Sequence, residues 1–171
     1  MKRRQLFLLG AAGLVPLGLV PLGLVPLGLV PTPARAHHGW SSFDQDKPLY
    51  LEGKVDSVSW RNPHAELKLR LAPNVKLPAD LATRAVPPQS ANVDAGRVLA
   101  AARLPSRKDP VWEIELAPLT RMQAWNVAEI KPGQAVAVVG YTLPAEKGEA
   151  VLRVEVLFVD GKAYGLRSSP A

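Results

Sequence analysis

Residues 49–71 run through two stretches in which apolar and polar positions alternate, and a chain patterned this way buries its apolar face by pairing strands into a sheet. In the first stretch, residues 49–60, Leu49, Leu51, Val55 and Val58 share one side, and Gly53 allows a bend or bulge. Arg61, Asn62 and Pro63 make a turn, His64 opens the second stretch, and Leu67, Leu69 and Leu71 then alternate with Glu66, Lys68 and Arg70. Regularity returns at residues 111–117, VWEIELA, a third strand. Pro118 then starts a short helix with Leu119, Met122 and Trp125 at helical spacing. QAVAVVGYTL is a largely buried strand, AEKGE a hairpin connection, and AVLRVEVLFVDGK a last long strand. Three strands, a helix and two strands predict an all-β fold: a small five-stranded Greek-key barrel of the oligonucleotide/oligosaccharide-binding type, with one short helix between strands 3 and 4. A plain antiparallel sandwich is the alternative.

Between the second and third strands, residues 73–110 dissolve into prolines, alanines and small polar residues, with at most one short helix around residues 94–103. Composition predicts a Pro/Ala-rich insertion that is mobile.

The amino-terminal third reads differently. MKRRQLFLLGAAG is a basic start followed by an apolar run that continues to PARA, the order of a secretory leader. Arg3 and Arg4, then Gln5, Leu6 and Phe7, resemble the twin-arginine export signal, although Lys2 stands where Ser or Thr is usual. General secretion is the other route. A GLVPL repeat places Pro16, Pro21, Pro26 and Pro31 five residues apart, which obstructs a membrane-spanning helix and argues against an uncleaved anchor. Ala34 and Ala36 fit an A-x-A cleavage site that leaves His37 first. The expectation is therefore a signal peptide over residues 1–36, contact with the export machinery, a periplasmic location, no stable membrane anchor after cleavage, and one domain over residues 37–171.

Charge narrows the partners. All 15 Asp and Glu follow the leader, while 4 of the 21 Lys and Arg lie within it, so the remainder is nearly neutral and nucleic acid is not expected as a partner. There is no cysteine for a disulfide, a thiolate metal site or a lipid anchor.

HHGWSSFD after the leader, LEGKVDSVSWRNPHAELKL, and the closing GYTLP and LRVEVLFVDGK resemble the uncharacterised exported bacterial family called domain of unknown function 6152. The resemblance extends over nearly the whole mature chain apart from the 73–110 insertion. It implies an extracytoplasmic, small all-β domain and supplies no activity.

The three histidines are His37, His38 and His64. A terminal His37 offers two nitrogens, its α-amine and its imidazole, and a second imidazole completes a T-shaped histidine brace suited to Cu(II). His64, at the start of strand 2, is the expected third donor. His38 supplies another imidazole or a deprotonated amide. Cleavage that leaves Ala36 first puts His38 third, where amine, two amides and imidazole form a square-planar copper or nickel site. The structural alternative is an exposed His-His tail and a His64 that bonds a turn. Asp44, Asp46 and Glu66 are candidate partners for the imidazoles. Trp40, Phe43, Tyr50 and Trp60 flank the histidines, chiefly as packing.

No G-x-S-x-G elbow, H-E-x-x-H helix or phosphate-cradling glycine loop is present, so hydrolase and nucleotide chemistry have no support. An oxidative copper enzyme would need an open equatorial position, an axial group and a substrate surface that the sequence does not name, and is less expected than a carrier. Copper carriage through His37, His38 and His64 is the leading specific function. The rival is a non-metal module binding a small ligand or protein through Trp60, Trp112 and Trp125, although alternation with Ile114 and Leu116 already argues that Trp112 is buried and helical spacing makes Trp125 a plug.

Overall fold

The computed structural model describes residues 39–171. The expected leader with its repeats, the cleavage site, His37 and His38 all lie outside the described residues.

Strands β1 (Leu49–Ser59), β2 (Glu66–Leu71), β3 (Val111–Glu115), β4 (Ala135–Tyr141), β5 (Val151–Val159) and β6 (Lys162–Gly165) form one sheet in the order β3-β2-β1-β4-β5-β6. All neighbours are antiparallel except one pair. β3 also runs parallel to β5, with Glu113 opposite Val151, Ile114 opposite Leu152 and Glu115 opposite Arg153. That seam closes the first five strands into a barrel, which is the predicted topology and removes the sandwich alternative.

The alternation in the sequence decides what points inward. Leu49, Leu51 and Val55 of β1 meet Leu67 and Leu69 of β2, Trp112 and Ile114 of β3, and Leu152 and Val154 of β5 in the main core, with Val58 packed at its margin. Gly53 is needed where β1 passes β2, because a Cβ there would fall into the Arg70 carbonyl group. The register slips between Val55 and Ser57, the bulge that the glycine region foreshadows.

Helix α2 (Leu119–Ala124) begins after Pro118 and closes the barrel with Met122 and Trp125. Trp125 donates its indole N–H to the Ser168 carbonyl at 2.8 Å and sets its ring edge-on to Tyr164. Burial of Trp112 and Trp125 removes both from any surface platform for sugars or bases.

Two features differ from the sequence reading. The last long strand is two strands, because Asp160 and Gly161 both take positive φ, 52° and 72°, and fold β6 back on β5. An Asp-Gly pair between apolar runs is a two-residue hairpin signal in its own right.

The second difference is the 73–110 insertion, which packs against the barrel wall. Its helix α1 (Ala95–Ala101) is capped by Asp94, whose carboxylate accepts from the Arg97 amide at 2.9 Å. Leu81, Leu99 and Ala102 bury Tyr50, Val139 and Val156 on the outer face of β1, β4 and β5, making a second apolar core. Backbone bonds tie the segment down at its middle and towards its end: the Ser90 amide donates to the Ser169 carbonyl at 2.9 Å, and the Tyr50 amide to the Arg103 carbonyl at 2.8 Å. Few large apolar residues suffice because the barrel wall supplies the other half of the core, which composition within the segment does not reveal.

Leu99→Ala should lower unfolding free energy by about 2–4 kcal/mol, the range for emptying a buried leucine site. Denaturant titration reads the loss. In limited proteolysis the parent protein should resist cutting across residues 73–110 while the variant is cut there, and equal susceptibility would contradict the packed arrangement.

Candidate functional site

His64 is the one candidate ligand within the described residues, and the turn from β1 into β2 places it. The Asn62–Pro63 peptide is cis, Ala65 pairs with Ala117 and Leu116 through backbone bonds, and the half-buried imidazole lies over the outer face of the β3–β5 seam. There its Nε2 meets the Arg153 guanidinium, 3.1 Å from Nη2. Arginine has only donors, so Nε2 accepts and the neutral ring carries its proton on Nδ1, which is itself buried.

Arg153 sits at the centre of a polar cluster on the barrel's outer wall. On its other side Nη1 donates to the Glu115 carboxylate at 2.9 Å, with both side chains under 8% exposed. These are cross-strand neighbours of the parallel seam, so their approach is dictated by register. Two residues further along β5, Glu155 is fully buried and accepts two bonds from Arg167 of the carboxy-terminal tail, at 2.6 and 2.8 Å. Charged groups this deep require partners, and each has one.

Trp40 covers the cluster. The Arg167 guanidinium lies 3.7 Å from its ring centroid and that of Arg153 5.1 Å, while Tyr141 meets it edge-on at 6.4 Å. Gln45 accepts from Arg167 at 2.9 Å and donates to the Trp40 carbonyl at 3.1 Å. Burial raises the pKa of the Tyr141 phenol, with the Glu155 charge adding to it. Burial and then the Arg153 charge lower that of Arg121, whose Nη1 donates to the Leu166 carbonyl. Only Gly39 separates Trp40 from His38 in the sequence. His64 and the root of the histidine-bearing segment therefore converge on one guanidinium.

The remaining expected partners do other work. Asp44 pairs with Lys47 and takes the Asp46 amide, shaping a turn. Glu66 lies on β2 directly across from Glu115. Phe43 packs with Tyr141 and Val151, Tyr50 lies under the insertion with its hydroxyl donating to Glu52, and Trp60 packs at the edge of the main core. Among the described residues no group of three or more His, Cys, Asp or Glu is placed to hold a metal ion.

Sequence reasoning missed Arg153, Glu115, Glu155 and Arg167. The signal was present in LRVEVLF, where Arg and Glu stand two apart in an otherwise apolar strand. A strand buried on both faces that carries two charges must hold their partners close.

On the side of the barrel that the insertion borders, a groove of about 700 Å³ runs beside Phe158, with Ala137 and Ala163 as its floor and Arg84 and Lys162 on its rim. Arg84 is committed to Asp80 and lies over the Phe158 ring.

A family of unknown function (DUF6152) matches residues 27–79 and bears out the resemblance read from the motifs. The matched stretch is shorter than the motifs suggested: it holds His37, His38, Trp40 and His64 but stops before β3, and so excludes Glu115, Arg153, Glu155 and Arg167. No curated protein and no solved structure matches the chain.

Arg167→Ala should destabilise the protein by about 3–5 kcal/mol, because the Glu155 carboxylate is left buried without its cation. The double substitution Arg167→Leu/Glu155→Leu should recover most of that loss. Denaturant midpoints of the three proteins measure it, and a double variant no better than the single one would show that the pair is not the source.

Proposed function

We propose that the processed chain is an exported copper-binding protein that holds Cu(II) at its amino-terminal histidines and carries it, with the barrel as a rigid support. The observation that supports this reading is the convergence of Trp40 and His64 on Arg153. Two residues of chain reach at most about 7 Å, and three at most about 11 Å. His38 and His37 therefore lie within that reach of Trp40, whose ring contacts the same guanidinium as His64.

The residues suit the ion in kind. His37 as first residue contributes an α-amine and an imidazole, His38 an imidazole or amide nitrogen, and His64 a neutral imidazole whose Nε2 faces the cluster. A nitrogen-rich set favours Cu(II) over other first-row dications. Bound copper would supply a tightly held, redox-capable centre. What this chain's own residues would do is support the ligands: the Trp40 ring is packed against Arg167 and Arg153, which favours a steady base for the histidines that precede it.

Native and denaturing mass spectrometry of protein recovered after export, with one equivalent of Cu(II), tests the reading. The expected result is a chain beginning at His37 that retains one copper ion under native conditions. His37→Ala should abolish retention, and His64→Ala should weaken it by about tenfold, the loss of roughly one good ligand interaction. A parent protein that retains no copper, or copper retention unchanged in both variants, would end the proposal.

A further inference from the structure

We propose that the groove beside Phe158 is a binding site for a neutral saccharide, with its sugar rings laid across the strands. The site shares no residue with the cluster around Arg153, and it stands independently of the copper reading.

Register fixes the floor. On the outer wall Tyr50, Val139, Val156 and Gly165 stand opposite one another across β1, β4, β5 and β6, and the insertion covers this row with Leu81, Leu99 and Ala102. Gln89 completes the cover, its side chain lying where a Cβ on Gly165 would be. The next row on the same face is Glu52, Ala137, Phe158 and Ala163, and it lines an open groove of about 700 Å³. Where the covered row has valines, this row has an alanine on either side of a partly exposed phenylalanine, which leaves a hollow on each flank of the ring. Four strands at the ordinary spacing of about 4.8 Å span about 14 Å, enough for more than one sugar ring. Lys162 and Ala163 also border a second hollow of about 500 Å³, walled by Val86, Pro87 and Tyr164, so the trough continues past β6.

The rim sets the chemistry of the occupant. Glu52 accepts from the Tyr50 hydroxyl at 2.7 Å, Gln134 donates to both carboxylate oxygens of Asp160 at 2.9 and 3.0 Å, and Arg84 donates through Nε and Nη2 to Asp80, each at 3.1 Å. These bonds hold planar groups in place without exhausting them, since a carboxylate and a guanidinium each serve several partners. Lys162 adds an exposed ammonium donor. Acids and bases are interleaved along the rim, so it concentrates neither anions nor cations. The Arg84 guanidinium lies 5.3 Å from the Phe158 centroid, so the insertion both walls the groove and steadies its aromatic ring.

A fitting ligand is therefore uncharged, has an apolar face for Phe158 and the alanines, and carries edge groups that both donate and accept. Hydroxyls do both. A sugar ring presents C–H groups on its face, which suit the negative face of an aromatic ring, and hydroxyls around its edge. An extended peptide fits less well. It would add along the edge of β6, whereas this groove runs across the strands, and a lysine on a four-residue edge strand guards against such pairing.

Nuclear magnetic resonance titration of the full-length protein with maltotetraose, cellotetraose and chitotetraose as neutral probes tests the site. At least one should move the amide signals of Ala137, Phe158 and Ala163, with a Kd of about 1 mM or tighter. Ala137→Val/Ala163→Val fills the hollows with a residue that favours strands and should weaken that binding about tenfold. No shift at these residues with any probe, or undiminished binding by the filled variant, would overturn the proposal. Lys162→Ala, at an exposed position, carries the same comparison should the filled variant fail to fold: it should weaken binding severalfold, and unchanged binding counts against the site. If only a short peptide of alternating Thr and Val moves signals, and does so along β6, the face is a strand-pairing edge and the saccharide proposal falls.

Discussion

The parallel pairing of β3 with β5 is the constraint on which the rest depends. It is only three residue pairs long, yet it serves two regions, because successive side chains point to opposite faces. Ile114 and Leu152 point into the barrel and join its core, while Glu115 and Arg153 point outward and form the buried ion pair. Closing the barrel and assembling the polar cluster are thus one event. Were the register shifted by a residue, the charges would enter the core and the cluster would vanish.

What surrounds the seam explains why those outward charges are buried. A barrel wall ordinarily meets water, but here two coverings lie on it. The 73–110 insertion shields the outer faces of β1, β4 and β5 with apolar contacts from Leu81, Leu99 and Ala102. The two ends of the domain shield the seam side, where Trp40 from the start and Arg167 from the finish stack upon each other above Arg153 and Glu155. The first covering is apolar and supports stability through area removed from water. The second is polar and ionic, which makes it a weaker source of stability and a more specific one, since each charge accepts only a partner of the right sign and reach.

This second covering gives the histidines their context. His64 alone at a strand start would be an ordinary turn residue. Placed against a guanidinium that also contacts Trp40, it becomes part of a polar cluster that joins the β1–β2 turn, β5 and Trp40. The family match, confined to residues 27–79, holds His64 and Trp40 without the arginines that they contact here.

Local pattern in the sequence was enough to determine the strands, the helix after Pro118, the closed barrel and the burial of Trp112 and Trp125, because alternation and helical spacing report directly on which face meets the core. The same local reading singled out His64 as chemically pointed. It also carried unused information, in the Asp160-Gly161 pair that turns β6 back and in the two charges of LRVEVLF. Only the tertiary structure decided that the proline-rich insertion packs, since half of its core belongs to residues of β1, β4 and β5. And only the tertiary structure gave His64 its partner: Arg153 lies 89 residues away in sequence, and it is the closing of the barrel, a contact no local pattern encodes, that brings the two within hydrogen-bonding reach.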